Sequence, residues 1–210
     1  MADEAAAGAG ATGQGIALED EVLEAPARGS VDELLDAGAH DALDAMRHST
    51  AHVMAEAVLD LFHGAKLGIG PAIADGFYYD FELPRPLTPD DLEAIEDRMH
   101  QSVAADHPFV RKELPFDDAR VVEEGRGQAF KVEILDDLAA KAKAAGEPAP
   151  VVTFYEHGEF SDLCKGPHVE QTSRIGPFKL LSVAGAYWRG DEHRPMLQRI
   201  YGTVWPSQEE

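Results

Sequence analysis

Arg47-His48-Ser49-Thr50-Ala51-His52 sets two histidines four residues apart, at the head of the apolar run Val53-Met54-Ala55-Glu56-Ala57-Val58-Leu59-Asp60-Leu61-Phe62. Residues at i and i+4 share a helix face, with Cβ atoms roughly 5–6 Å apart. Both imidazoles are therefore expected to point at one place. Far downstream, Asp162-Leu163-Cys164-Lys165-Gly166-Pro167-His168 carries the only cysteine of the chain. If the fold joins the two stretches, one pocket holds three imidazoles and a thiol.

Three kinds of chemistry suit that set. His48, His52, Cys164 and His168 are four ligands of the types zinc prefers. Alternatively, a histidine near neutral pH can position or deprotonate a water without metal, with Asp162 orienting an imidazole. A Cys/His nucleophile is the third option, and nothing in the local sequence gives it specific support. A His-Glu-x-x-His zinc protease is excluded, because Ser49 stands where the glutamate belongs. Taken singly, each feature has an ordinary structural reading. A His-x-x-x-His pair can decorate any helix, and a lone cysteine is commonly a small buried hydrophobe. Tyr78 and Tyr79 alone read as sheet packing, and Lys131 alone as a solvated helix residue. The two histidine motifs together, with Gly166-Pro167 fixing the loop, favour a site.

The elements that must position these residues follow from periodicity and punctuation. A helix is expected from about Leu43 to Phe62, stopped by Gly64. Lys66–Gly70 reads as a short strand, Pro71 and Asp75-Gly76 as turns, and Phe77–Leu83 as a strand by its alternation. Thr88-Pro89-Asp90-Asp91 starts a helix to about Ala105, with a hydroxyl N-cap, proline at N1 and acids in the first turn. Further strands are expected at 109–114, 151–156, 178–183 and 196–201, with helices at 117–124 and 130–145. His157-Gly158 is expected to lead into the cysteine loop. There is no internal repeat. Separated helices with mostly hairpin-like strands indicate an α+β fold, a mainly antiparallel sheet with helices packed on it.

Composition bounds the class. The chain has 210 residues, 44% of them hydrophobic, and a formal charge of −21, which argues against a general nucleic-acid binder. A single cysteine excludes an internal disulfide and fits a reducing compartment. No apolar run approaches the ~20 residues of a membrane span. The N-terminus has no basic region of a signal peptide, so a cytoplasmic protein is expected. Residues 1–45 carry eleven acids and one base and read as a tail or linker, low in complexity over 1–15, with a short helix or domain cap over 31–45. From Lys165 to Arg199 six Lys/Arg face three acids, a locally basic stretch that permits a phosphate-bearing partner.

Arg-His-Ser-Thr-Ala-His (47–52), Gly-Phe-Tyr-Tyr-Asp (76–80), Asp-Leu-Cys-Lys-Gly-Pro-His-Val (162–169), Gly-Ala-Tyr-Trp-Arg-Gly-Asp (185–191) and Met-Leu-Gln-Arg-Ile-Tyr-Gly-Thr (196–203) together resemble the editing domain of bacterial threonyl-tRNA synthetase. That domain is related to the editing domain of alanyl-tRNA synthetase. The resemblance covers about residues 46–205 and implies a domain over 46–206, with the site in a cleft between the His-x-x-x-His helix and the sheet. It implies hydrolysis of the ester linking serine to the 3′-terminal adenosine of threonine tRNA. Serine lacks one methyl of threonine, and a pocket discriminates by such a group with only about 1–3 kcal/mol, so a second, smaller site is needed.

The same resemblance implies roles. His48, His52, Lys131, Asp162, Cys164 and His168 form the catalytic set. His48 holds or activates water, and Lys131 lies near the terminal adenosine and stabilises developing negative charge. Tyr79, Lys131, Cys164 and His168 contact the substrate. No metal is required in the threonyl type, whereas the alanyl type binds zinc through the equivalents of His48, His52, Cys164 and His168. The expected partner is the acceptor end of tRNA, with a synthetase partner if the chain works alone. The synthetase's small N-terminal domain is not recognisable in the first 45 residues, and only seven residues follow Thr203. The chain is expected to be a freestanding editing protein or the front of a synthetase, without aminoacylation activity of its own. A zinc-dependent deacylase of the alanyl type and a non-catalytic binding or regulatory module that keeps the pocket are the alternatives.

Overall fold

The computed structural model describes residues 42–207. The short helix expected over 31–45 therefore lies largely outside the described residues.

Helix α1 spans Ala42–Leu61, and its whole stretch from Ser49 to Val58 is buried. Its five alanines (Ala42, Ala45, Ala51, Ala55, Ala57) favour helix and let neighbours approach closely. Ser49 and Thr50 donate to the carbonyls of Ala45 and Met46, one turn back, at 2.7 and 2.8 Å, which keeps two hydroxyls satisfied inside the core. Strands β1 (Lys66–Leu67), β2 (Ala72–Ile73) and β3 (Gly76–Glu82) follow. Helix α2 (Pro89–Ala104) starts at the expected cap. Thr88 accepts from the Asp91 backbone N–H, Asp91 accepts from the Thr88 backbone N–H, and the Arg85 guanidinium forks onto the Asp91 carboxylate at 2.6 and 2.8 Å.

Strand β4 (Val110–Pro115), helix α3 (Phe116–Gly125), helix α4 (Ala129–Ala144), strand β5 (Val151–His157) and strand β6 (Phe160–Leu163) form the middle of the chain. Strands β7 (Phe178–Tyr187) and β8 (Met196–Val204) close it. The fold is α+β and every strand pairing is antiparallel.

The antiparallel strands form two sheets. One has the order β1-β3-β8-β7, with β2 also on β3; the other is β4-β5-β6. The stretch of β6 had read as part of the cysteine loop. Gly158 at φ +54 turns the chain, so that His157 pairs with Phe160 and Asp162 with Tyr155. Asp162 and Cys164 are thereby tied to a strand. The first strand is shorter than expected, but Gly68 N–H to Asp80 O and Asp80 N–H to Ile69 O continue its pairing with β3.

Each sheet has its own core. Met54, Val58, Phe77, Phe81, Ile95 and Met99 join α1 and α2 to the larger sheet. Phe130, Ile134, Leu135, Phe154, Leu163 and Trp188 join α3 and α4 to the smaller one. Thr88→Ala should cost about 1 kcal/mol of stability in urea unfolding, because it removes one half of the α2 cap. It should leave the site unaffected.

Candidate functional site

The expected residues converge where the two cores meet. The rings of His48 and His168 lie 4.2 Å apart centre to centre, His52 and His168 4.3 Å, and His48 and His52 4.9 Å. Cys164 Sγ is 3.2 Å from His168 Nε2. Behind them, the Lys131 ammonium makes a buried ion pair with Asp162 Oδ1 at 2.7 Å. Tyr79 Oη donates to Asp162 Oδ2 at 2.5 Å and accepts from Lys131 Nζ at 3.0 Å. A cavity of about 40 Å³ opens between α1, the Ile69–Ala72 loop, α4 and the cysteine loop, as expected of a cleft between helix and sheet. That is room for a few water-sized groups. His48, His52, Lys131, Asp162 and Cys164 line it. Tyr79 stands behind Lys131 and Asp162, with both of its hydroxyl interactions spent on them.

Local geometry explains each placement. Lys131 falls in the first turn of α4, a poor place for a buried cation next to the helix's positive end. The Asp162 carboxylate compensates, as any buried charge requires. Gly70 lets the loop lie against Tyr79, since a Cβ there would come within 2.0 Å of the ring. Gly166, at φ +72, similarly leaves space for the Tyr155 hydroxyl, 2.5 Å from where a Cβ would stand. The cis Gly166–Pro167 peptide follows, and the Pro167 carbonyl meets His48 Nδ1 at 3.3 Å.

The hydrogen bonds fix where the protons are. Ser49 Oγ spends its one proton on the Ala45 carbonyl and accepts from the Val169 N–H at 3.0 Å. His168 Nδ1, 3.0 Å from the same oxygen, must therefore be the donor. His168 Nε2 is then unprotonated and accepts from the Cys164 thiol. A carbonyl can only accept, so His48 Nδ1 carries the proton and its Nε2 is left as a base. Burial pushes the Cys164 thiol well above its usual range, with the Asp162 charge adding to it. That removes the activation a cysteine nucleophile would need.

Burial brings His48 down to about 4, against the opposing pull of the Pro167 carbonyl and Asp162. His52 and His168 are lowered too, first by burial and then by neighbouring imidazoles. All three rings are neutral at pH 7. Their state suits metal ligation as well as base chemistry. The ligand atoms of His48, His52, Cys164 and His168 all lie within 4.8 Å of one another. Two of the rings have their second nitrogen held by Pro167 and Ser49, the kind of outer bond that orients metal-bound histidines.

Residues 152–201 match the family described as the threonyl and alanyl tRNA synthetase second additional domain. The chain is 57% identical over 155 residues to a threonine–tRNA ligase of Dehalococcoides mccartyi, an alignment covering 74% of the chain and 25% of that ligase. It is 56% identical over 155 residues to one of Nitratidesulfovibrio vulgaris, covering 74% and 23%. A third, from Citrifermentans bemidjiense, is 51% identical over 161 residues, covering 77% and 24%. The chain belongs to the threonyl-tRNA synthetase editing-domain family. It spans about a quarter of the length of these ligases.

Two findings about this editing-type domain were not read from its sequence. Glu123 of α3 is buried behind the Lys131–Asp162 pair and is pushed up to about 7 by burial and the Asp162 charge, with Lys131 and Arg126 opposing. Ser49, noticed only as the residue that excludes a protease motif, orients His168. The locally basic stretch is also mostly neutralised. Lys179 pairs with Glu96, Arg189 with Glu133 and Asp137, Arg194 with Glu133, and Arg199 with buried Asp80. Among the described residues, no helix is long and apolar enough to cross a membrane.

The lowered histidines set the acid stability. Their folded pKa lies below the unfolded value of about 6.5, so the unfolded chain binds more protons in between. Their contribution is complete above that value and is lost as pH falls below it, through about 4 in the case of His48. Glu123 opposes this with the opposite sign, as one group against three. The urea midpoint should therefore fall between pH 7 and pH 5; a midpoint that rises would contradict neutral buried imidazoles.

Proposed function

We propose that the chain is an aminoacyl-tRNA deacylase that hydrolyses the ester of serine mistakenly attached to threonine tRNA. The observation that carries this reading is the pairing of a neutral His48, its Nε2 free beside the cavity, with the Lys131 ammonium on the facing wall. A water held by His48 attacks the ester carbonyl carbon while Nε2 takes its proton. Lys131 stabilises the oxyanion that forms, within a site already shielded from solvent. Collapse breaks the bond to the ribose oxygen, which recovers the proton from His48. Serine and a terminal adenosine with its hydroxyl restored are the products.

Asp162 and Tyr79 hold Lys131 in place. Cys164, a neutral thiol ordered by His168, forms part of the amino-acid wall, and His52 completes the face opposite. An ester is already labile, so orientation and modest base catalysis are sufficient. The small cavity fits the expectation that a second site accepts serine and excludes the bulkier threonine. The reading places residues 46–206 as the working domain, residues 1–45 as a tail, and the reaction in the cytoplasm, with the acceptor end of tRNA as partner.

A zinc-dependent deacylase is the second reading, favoured by the four clustered donors. His48, His52, Cys164 and His168 would hold the ion, which when bound would polarise water or the ester carbonyl. Purified without chelator and analysed for metal, the chain should hold well under one zinc per molecule on the first reading. Stoichiometric zinc lost with His168→Ala would select the second.

The main test is serine release from seryl-tRNA bearing the threonine anticodon. His48→Ala should lower the rate by about 10²–10⁴-fold. The wild-type rate constant should be flat from pH 6 to 8 and fall only as His48 gains a proton near 4. No release by the wild-type chain, with a ligand-induced thermal shift instead, would point to a binding module.

A further inference from the structure

Helix α1 does not end its chemistry at His52. Glu56, one turn on and on the same face, is buried and fully engaged. Its Oε1 accepts from Arg98 Nη2 at 3.2 Å. Its Oε2 accepts from the Ser102 hydroxyl and lies 3.3 Å from His157 Nε2. Arg98 Nη1 in turn donates to Ser102 Oγ at 2.5 Å, and its Nε to Asp60 at 2.7 Å. The network locks α1 to α2 through two carboxylates, Glu56 and Asp60.

His157, 1% exposed at the end of β5, links that carboxylate to the site. Its ring packs on Phe109 at 4.7 Å and on Phe160 at 5.0 Å. Phe109 stacks on His168 at 4.8 Å with the planes 1° apart. Phe160 meets His52 edge-on at 5.6 Å. His168 and His52 thus rest on one aromatic layer, and the contact of His157 with Glu56, its one polar contact among the described residues, anchors the far side of that layer to α1. His157 Nδ1 is buried with no partner of its own, so Nε2 carries the ring's orientation.

We infer that Glu56 and His157 are positioning residues, which set the ring orientations of His168 and His52 through Phe109 and Phe160. Neither touches the cavity. The inference rests on the proposed ester hydrolysis for its kinetic consequence, but its structural consequence can be read without any turnover. If the layer shifts, His168 Nδ1 loses its fixed donor position against Ser49, and the thiol of Cys164 loses its acceptor. Displacement of a reacting group by about 1 Å can cost 10²-fold in rate.

The test uses the full chain, labelled with nitrogen-15, in four variants: Glu56→Ala, Glu56→Gln, His157→Phe, and Val204→Ala as a core control far along β8. Long-range proton–nitrogen spectra report each histidine tautomer. Wild type and Val204→Ala should show His168 in the single Nδ1–H form. Glu56→Ala and His157→Phe should show a mixture of tautomers, and Glu56→Gln, which keeps an acceptor for His157 and Ser102, should restore most of the single form. In serine release, Glu56→Ala and His157→Phe should lose at least tenfold in kcat with KM within twofold, at a temperature where Val204→Ala loses neither. A single His168 tautomer retained in both Glu56→Ala and His157→Phe would overturn the inference. If the wild-type chain releases no serine, the deacylase reading fails, and the tautomer spectra still decide this one.

Discussion

The structure depends on a buried ion pair, Lys131 with Asp162, 2.7 Å apart and each about 3% exposed at the side chain. It joins α4 to β6, and through Tyr79 it reaches β3 of the other sheet. Two charges taken from water cost several kcal/mol each before they attract one another, and apolar residues of similar size often serve stability as well. Packing alone does not call for this pair. It makes sense where a cation must be kept ready in a dry place, beside a cavity also lined by the neutral rings of His48 and His52. Loss of either partner would leave an uncompensated charge in the junction between two cores, so the site and the fold share one weak point.

Around that pair the imidazoles obey a second constraint. Three rings with centres 4.2–4.9 Å apart cannot all be charged, and burial keeps them from being so. The protons of His48 and His168 are then assigned by neighbours that can only give or only take, whereas His52 Nδ1 is buried without a hydrogen-bond partner among the described residues. The Pro167 carbonyl takes from His48, Ser49 takes from His168, and the thiol of Cys164 gives to His168. Neutral rings, two of them with the second nitrogen bonded outward, suit water activation and metal binding alike.

Much of this was legible. The spacing of His48 and His52 and that of Cys164 and His168 gave the four-residue cluster, and alternation or caps placed α1, β3, α2 and β8 to within a few residues. What was hidden had physical causes. Lys131 has the local sequence of a surface helix, and only the long-range approach of Asp162 makes its burial tolerable. Strand β6 is four residues ending in the cysteine motif, too short to show a period, so it read as part of the cysteine loop. The spacing His48, His52, Glu56 was present, but a glutamate in a helix has a solvated default. Ser49 became meaningful only once the distant Val169 and His168 supplied its donors. The basic stretch from Lys165 to Arg199 was counted correctly in sequence, yet its charges are spent on Glu96, Glu133, Asp137 and Asp80, acids that lie far away along the chain.

That last point bears on how an acidic domain can work on tRNA at all. Phosphate contacts supply most of the affinity of proteins for nucleic acids, and they need uncommitted cations. Here four of the six cations in the basic stretch are bound to carboxylates of the same molecule, and the chain carries −21 overall. Such a charge balance is not one that grips a duplex. Under the proposed reading, chemistry and affinity are separable. The pocket contributes discrimination and hydrolysis at the last nucleotide, and the hold on the rest of the tRNA must come from other surfaces, such as the three quarters of the related ligases that this chain does not span. On that reading, discrimination rests on the pocket, and only an ester small enough to reach His48 and Lys131 together is cut.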